Sequence, residues 1–150
     1  MLTRLRVRSR SRYQIQIERK ITMKKKRKVL IVDDELDINL LFKTLLEDNG
    51  FKVDAFDDPL LALQNFKANS YDLLMLDIVM QKMNGFELYE KMRKVDDKVK
   101  ICFITASDVY DEQIRKEAFP ELSDVKDCFI TKPIKNEDLI EQVNKIINST

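Results

Sequence analysis

Four acidic residues, a hydroxyl and a lysine each follow an apolar run in this 150-residue chain. Asp33, Asp34 and Glu35 come directly after Val29–Val32, Asp77 after Leu73–Leu76, Thr105 after Ile101–Ile104, and Lys132 shortly after Cys128–Ile130. Short, unbroken apolar runs bounded by polar residues read as strands buried on both faces, and open α/β sheets bind ligands at the strands' C-terminal edge. If these strands are parallel, the six residues gather at one edge. Crowded carboxylates repel and need a cation to stay ionised. Oxygen donors without Cys or His favour a hard ion, and Mg²⁺ suits them better than zinc. Lys132 offers a point charge and Thr105 a hydroxyl, both suited to phosphoryl oxygens. A carboxylate in that setting can attack phosphorus and form an acyl phosphate, with Asp77 as the nucleophile.

Composition narrows the chemistry further. The chain has no histidine, which removes Ser-His-Asp and Cys-His catalysis and histidine metal sites. Cys102 and Cys128 sit in apolar segments without zinc or redox spacing and read as buried thiols. With 44% hydrophobic and 35% charged residues, the chain is globular and the size of one domain. No apolar run approaches the roughly 18 residues that span a bilayer, and no secretory h-region is present, so a cytoplasmic protein without membrane contact is expected.

The elements that must position these residues alternate in type. After the first strand, Ile38, Leu41, Phe42, Leu45 and Leu46 mark a helix face that Asn49-Gly50 should end. The segment 51–56 alternates as an edge strand would, and Asp58-Pro59 should cap a helix carrying Leu60, Leu63 and Phe66. Further helices are expected from about Phe86, between Thr105 and Pro120, and from a cap at Asn136 through Ile147. Five βα units imply a doubly wound parallel sheet.

Charge divides the chain sharply. Residues 1–28 hold 12 Lys/Arg against Glu18, a net of +11, and residues 29–150 hold the other 15 against 25 acids, a net of −10. Arg4, Arg6, Arg8, Arg10 and Arg12 alternate, so a helix there would spread them around its axis. A membrane-surface helix is therefore not expected there, and since nothing before residue 29 resembles a core segment, residues 1–24 read as a basic, disordered extension, able at most to make weak electrostatic contact with nucleic acid. Residues 25–150 read as the folded domain.

From about residue 26 to 149 the chain resembles a response-regulator receiver domain of two-component signalling. The matching pieces are "VLIVDDE", "LLMLDIVMQKMNGFEL", "FITAS" and "CFITKPI". The resemblance implies a CheY-like, flavodoxin-like (βα)5 fold with strand order 2-1-3-4-5. It implies that a sensor histidine kinase phosphorylates Asp77. Asp33, Asp34, Asp77 and the backbone carbonyl of Val79 would hold Mg²⁺. Thr105, the Ala106 backbone amide and Lys132 would contact the phosphoryl group, and Thr105 with Phe129 would act as the switch. Such a protein is a phosphoacceptor that catalyses only its own phosphotransfer and dephosphorylation. With no effector module before Thr150, a stand-alone receiver is expected, signalling through a downstream protein it binds when phosphorylated.

Two features depart from the family pattern. Gln81 stands where the family usually carries Pro, and "FPELSDVKD" makes the segment between Thr105 and Lys132 a few residues longer than usual. Two rival readings fit less well. An Asp-nucleophile phosphatase would place a second acid two residues after the nucleophile, where Val79 stands. A nucleic-acid-associated regulator would have to act through the basic tail alone.

Overall fold

The computed structural model describes residues 10–106, 117, 120 and 129–149, with the backbone alone for residues 19–25. Its strands are β1 (Lys28–Val32), β2 (Lys52–Phe56), β3 (Leu73–Asp77), β4 (Lys100–Thr105) and β5 (Phe129–Thr131). All pair in parallel in the order β2-β1-β3-β4-β5. The helices among the described residues are α1 (Arg12–Lys25), α2 (Leu36–Asp48), α3 (Pro59–Asn65), α4 (Gly85–Arg93) and α5 (Asn136–Asn148).

Strand residues alternate between two apolar layers, so both sheet faces are covered. Leu30, Val32, Leu74, Leu76 and Phe103 pack on α3 and α4 through Ala62, Leu88 and Met92. Ile31, Leu73, Met75 and Ile104 pack on α2 and α5 through Phe42, Leu46, Leu139 and Val143. Every side chain from Leu73 to Leu76 is fully buried, as their unbroken run requires. Cys102 is also fully buried, whereas Cys128 lies outside the described residues.

Local signals set the helix ends. The Asp58 side chain accepts a hydrogen bond from the Leu60 amide at 2.9 Å, with Pro59 opening α3. Asn49 closes α2, and Gly50 takes the left-handed φ of +91° that a glycine tolerates best. Asn136 is the first residue of α5 rather than its cap; Lys135 holds that place without a side-chain bond. Leu41 and Leu60 face solvent, because the buried stripes run through Asn39, Phe42 and Leu46 on α2 and through Pro59 and Ala62 on α3.

The basic extension also departs from expectation, since Arg12–Lys25 is helical. The alternating arginines end at Arg12, where this helix begins, and do not bear on the turns that follow. Ser11-x-x-Gln14 forms a reciprocal capping box: the Gln14 amide donates to Ser11 Oγ at 3.1 Å and the Ser11 amide to Gln14 Oε1 at 3.2 Å. No Gly or Pro interrupts the turns that follow. The expected helix between Thr105 and Pro120 and most of "FPELSDVKD" lie outside the described residues. No described helix is long and apolar enough to cross a membrane.

Candidate functional site

Parallel pairing brings the ends of β1, β3, β4 and β5 to one edge, and backbone bonds fix their relative positions. The Asp33 amide donates to the Phe56 carbonyl at 3.1 Å, Ile78 to Ile104 at 2.9 Å, and Lys132 to Thr105 at 2.7 Å. Asp33, Asp77 and Thr105 are all buried there. Lys132, whose peptide bond to Pro133 is cis, reaches back across the edge. Its Nζ lies 2.6 Å from Asp33 Oδ2, 3.6 Å from Glu35 Oε1 and 3.8 Å from Asp77 Oδ2.

This packing perturbs both protonation equilibria. Burial first, then the negative charge of Asp33, pushes the Asp77 carboxyl from its ordinary 3.8 up to about 7, against the opposing pull of Lys132. Burial alone would lower the Lys132 ammonium. The hydrogen bond to Asp33 and the charges of Asp33, Asp77 and Glu35 outweigh it and hold the group above its ordinary value.

Carboxylate oxygens of Asp33, Glu35 and Asp77 lie within 4.8 Å of one another. This oxygen-only set, carrying more negative charge than Lys132 neutralises, fits a hard divalent cation such as Mg²⁺. Glu35 is thus grouped with Asp33 and Asp77, in addition to the Asp34 that the family resemblance implies as a metal ligand. The Asp34 carboxylate instead accepts the Gln81 backbone amide at 3.2 Å. Val79 lies two residues past the end of β3 and is largely exposed. Ala106 is exposed at the end of β4, beside buried Thr105. Phe129 is half-buried, its ring centroid 5.3 Å from Phe103 and 6.5 Å from Phe86.

Two positioning residues escaped the sequence reading. Asn39 is buried, and its Nδ2 donates to the Asp33 carbonyl at 2.7 Å and the Phe56 carbonyl at 2.9 Å, tying β1 to β2 just below the acids. Its signal was an amide at helical spacing from Phe42 and Leu46. Gly85 opens α4, its amide donating to the Ile78 carbonyl at 2.9 Å. A Cβ there would come within 2.3 Å of the Asp77 carbonyl oxygen. Gly85→Ala should therefore displace the Asp77 backbone and destabilise the domain by about 2 kcal/mol. Urea unfolding measures this, and an unchanged midpoint would show that the backbone yields freely.

A family model for the response regulator receiver domain matches residues 29–144. The chain belongs to that family, whose members are signalling phosphoacceptors. A search of curated proteins found no match. Among solved structures, the chain is similar to a CheY-like response regulator receiver domain protein from Methanospirillum hungatei, at 26% identity and a TM-score of 0.71, covering 83% of this chain and 95% of that one. It is also similar to the response regulator TrrA from Thermotoga maritima, solved in complex with Mg²⁺ and BeF, at 31% identity, a TM-score of 0.67 and coverage of 80% and 98%. The non-phosphorylated HemR receiver domain from Leptospira biflexa gives 26%, 0.72, and coverage of 83% and 97%.

Proposed function

We propose that Asp77 accepts a phosphoryl group from the phosphohistidine of a sensor kinase, and that the phosphorylated domain signals by changing which protein it binds. The observation that carries this reading is the convergence of Asp33, Glu35 and Lys132 on the buried Asp77 carboxylate at the sheet's C-terminal edge. An Asp77 oxygen attacks phosphorus, the P–N bond to the donor imidazole breaks, and the imidazole nitrogen keeps the bonding pair. Asp33 and Asp77, with Glu35 or Asp34 and the Val79 carbonyl, would hold Mg²⁺. That ion would offset the charge gathering on the phosphoryl oxygens. Lys132 sits within reach of the same oxygens and supplies a fixed positive charge as they arrive. Thr105 ends β4 and Ala106 follows it, and the Thr105 hydroxyl and the Ala106 amide would donate to them. No histidine of this chain is needed, since the donor brings its own.

The test is labelling by a small-molecule phosphodonor in Mg²⁺ and in chelator. Uptake with Mg²⁺ and its loss on chelation are expected; the absence of uptake in both would remove the reading.

The response would run through Thr105 and Phe129. Phosphorylation adds charge and acceptor oxygens at Asp77, drawing the Thr105 hydroxyl inward. The Phe129 ring packs beside Phe103 and Phe86 on the neighbouring strand and helix, and would repack as Thr105 moves. NMR with a phosphoryl mimic should show the Phe129 ring shifting in the wild type and far less in Thr105→Ala. Equal shifts in both would take Thr105 out of the switch.

A further inference from the structure

The loop after Asp77 carries an interaction that the usual family sequence cannot make. Gln81 stands where the family usually has Pro, and its backbone N–H donates to Asp34 Oδ2 at 3.2 Å. A proline at this position has no N–H to donate. The next residue, Lys82, has a left-handed φ of +72° and reaches Asp58 Oδ2 through Nζ at 2.7 Å. Asp58 caps α3 on the far side of the same acidic hollow, which Asp34 and Asp57 also line. Two adjacent loop residues therefore fasten the β3–α4 connection to acids of two other loops.

The first of these bonds engages one of the two aspartates after β1. Asp33, Glu35 and Asp77 converge, while Asp34 stays outside their group and faces Gln81. A carboxylate oxygen that accepts a backbone hydrogen bond is a weaker donor to a cation, and turning it inward would first break that bond.

We propose that the Gln81 backbone amide is a latch on Asp34 that sets the Mg²⁺ affinity of the phosphoacceptor site: it holds the carboxylate outside the site, and Mg²⁺ must compete with it. This inference rests on the Mg²⁺-dependent reading above. The residue acts through Asp34 and is a positioning residue. The side chain of Gln81 has no part in it, so Gln81→Ala should behave as wild type and Gln81→Pro should not.

Calorimetric titration of the full chain with Mg²⁺ distinguishes these variants. Gln81→Pro should bind roughly fivefold more tightly than wild type, the scale of one partly exposed charge-assisted hydrogen bond, with Gln81→Ala unchanged. Equal affinity in all three would overturn the latch and leave the site reading intact. No Mg²⁺ binding in any of them would overturn both. A second measurement needs no substitution and covers the case in which Gln81→Pro folds poorly. In ¹⁵N-labelled wild type, saturating Mg²⁺ should speed hydrogen exchange at the Gln81 amide while leaving Leu88 in α4 protected. An equally protected Gln81 amide with and without Mg²⁺ would overturn the latch.

Discussion

Asp77→Asn should abolish phosphoryl acceptance and, in metal-free buffer at pH 8, make the domain more stable by about 2 kcal/mol. Loss of acceptance follows because an amide nitrogen or oxygen cannot form the acyl phosphate. The gain in stability follows from linkage. The folded-state pKa of Asp77 is raised from 3.8 to about 7, so the folded protein holds a proton that the unfolded chain releases near pH 4. Stability from this group is therefore present at low pH and falls as pH rises from about 4 through 7. Three pH units correspond to a ceiling of about 4 kcal/mol, and relaxation around the ionised group reduces it. At 4% exposure, solvent screens the carboxylate little. Asn mimics the neutral form at every pH. Urea melts in chelator should diverge at pH 8 and draw together as pH falls to about 4, and coincidence at both would show that Asp77 is not strained by its neighbours.

Lys132→Ala should have the opposite effect on stability. Among the described residues the lysine ammonium is the cation nearest Asp33, which is fully buried, and it also lies within 4.0 Å of Glu35 and Asp77. Removing it leaves buried negative charge unopposed, at a cost of about 3 kcal/mol at pH 8. Because the Lys132 pKa is raised, its contribution is fully present at neutral pH and is lost only as pH rises through the folded value, above the ordinary lysine range. Mg²⁺ should restore more stability to this variant than it adds to wild type, since the ion replaces the missing charge. Phosphorylation should also slow sharply, because the arriving oxygens lose their fixed counter-charge. Thermal melts with and without Mg²⁺ measure the first effect. An equal Mg²⁺ response in the two proteins would mean that lysine and metal do not share the same carboxylates.

The residues that were legible in the sequence are those whose position follows from strand periodicity. Asp33, Asp77, Thr105 and Lys132 each lie at or beside the end of an apolar run, and parallel pairing then leaves them no other edge to occupy. Orientation within a loop was not legible. Nothing in "DDE" says that Glu35 turns toward Asp77 while Asp34 turns toward Gln81, because a backbone hydrogen bond from a loop 47 residues away decides it. Asn39 is a polar residue that interrupts the apolar count, although its spacing puts it on the buried stripe with Phe42 and Leu46. Gly85 gave no signal of its own, since the close approach of Asp77 exists only once α4 docks. The helix α1 was legible only through the Ser11–Gln14 capping box, which lies at the end of the arginine alternation of residues 4–12.

Phosphorylation at Asp77 is tested by treating the wild-type chain with a small-molecule phosphodonor and Mg²⁺, reducing the product with borohydride, and mapping the modified residue by mass spectrometry. Reduction of an aspartyl acyl phosphate converts that residue to homoserine. One modified position is expected, Asp77, with none in Asp77→Asn. Modification at Asp33, Asp34 or Glu35 instead, or an unmodified Asp77 in a protein that has taken up phosphate, would contradict it.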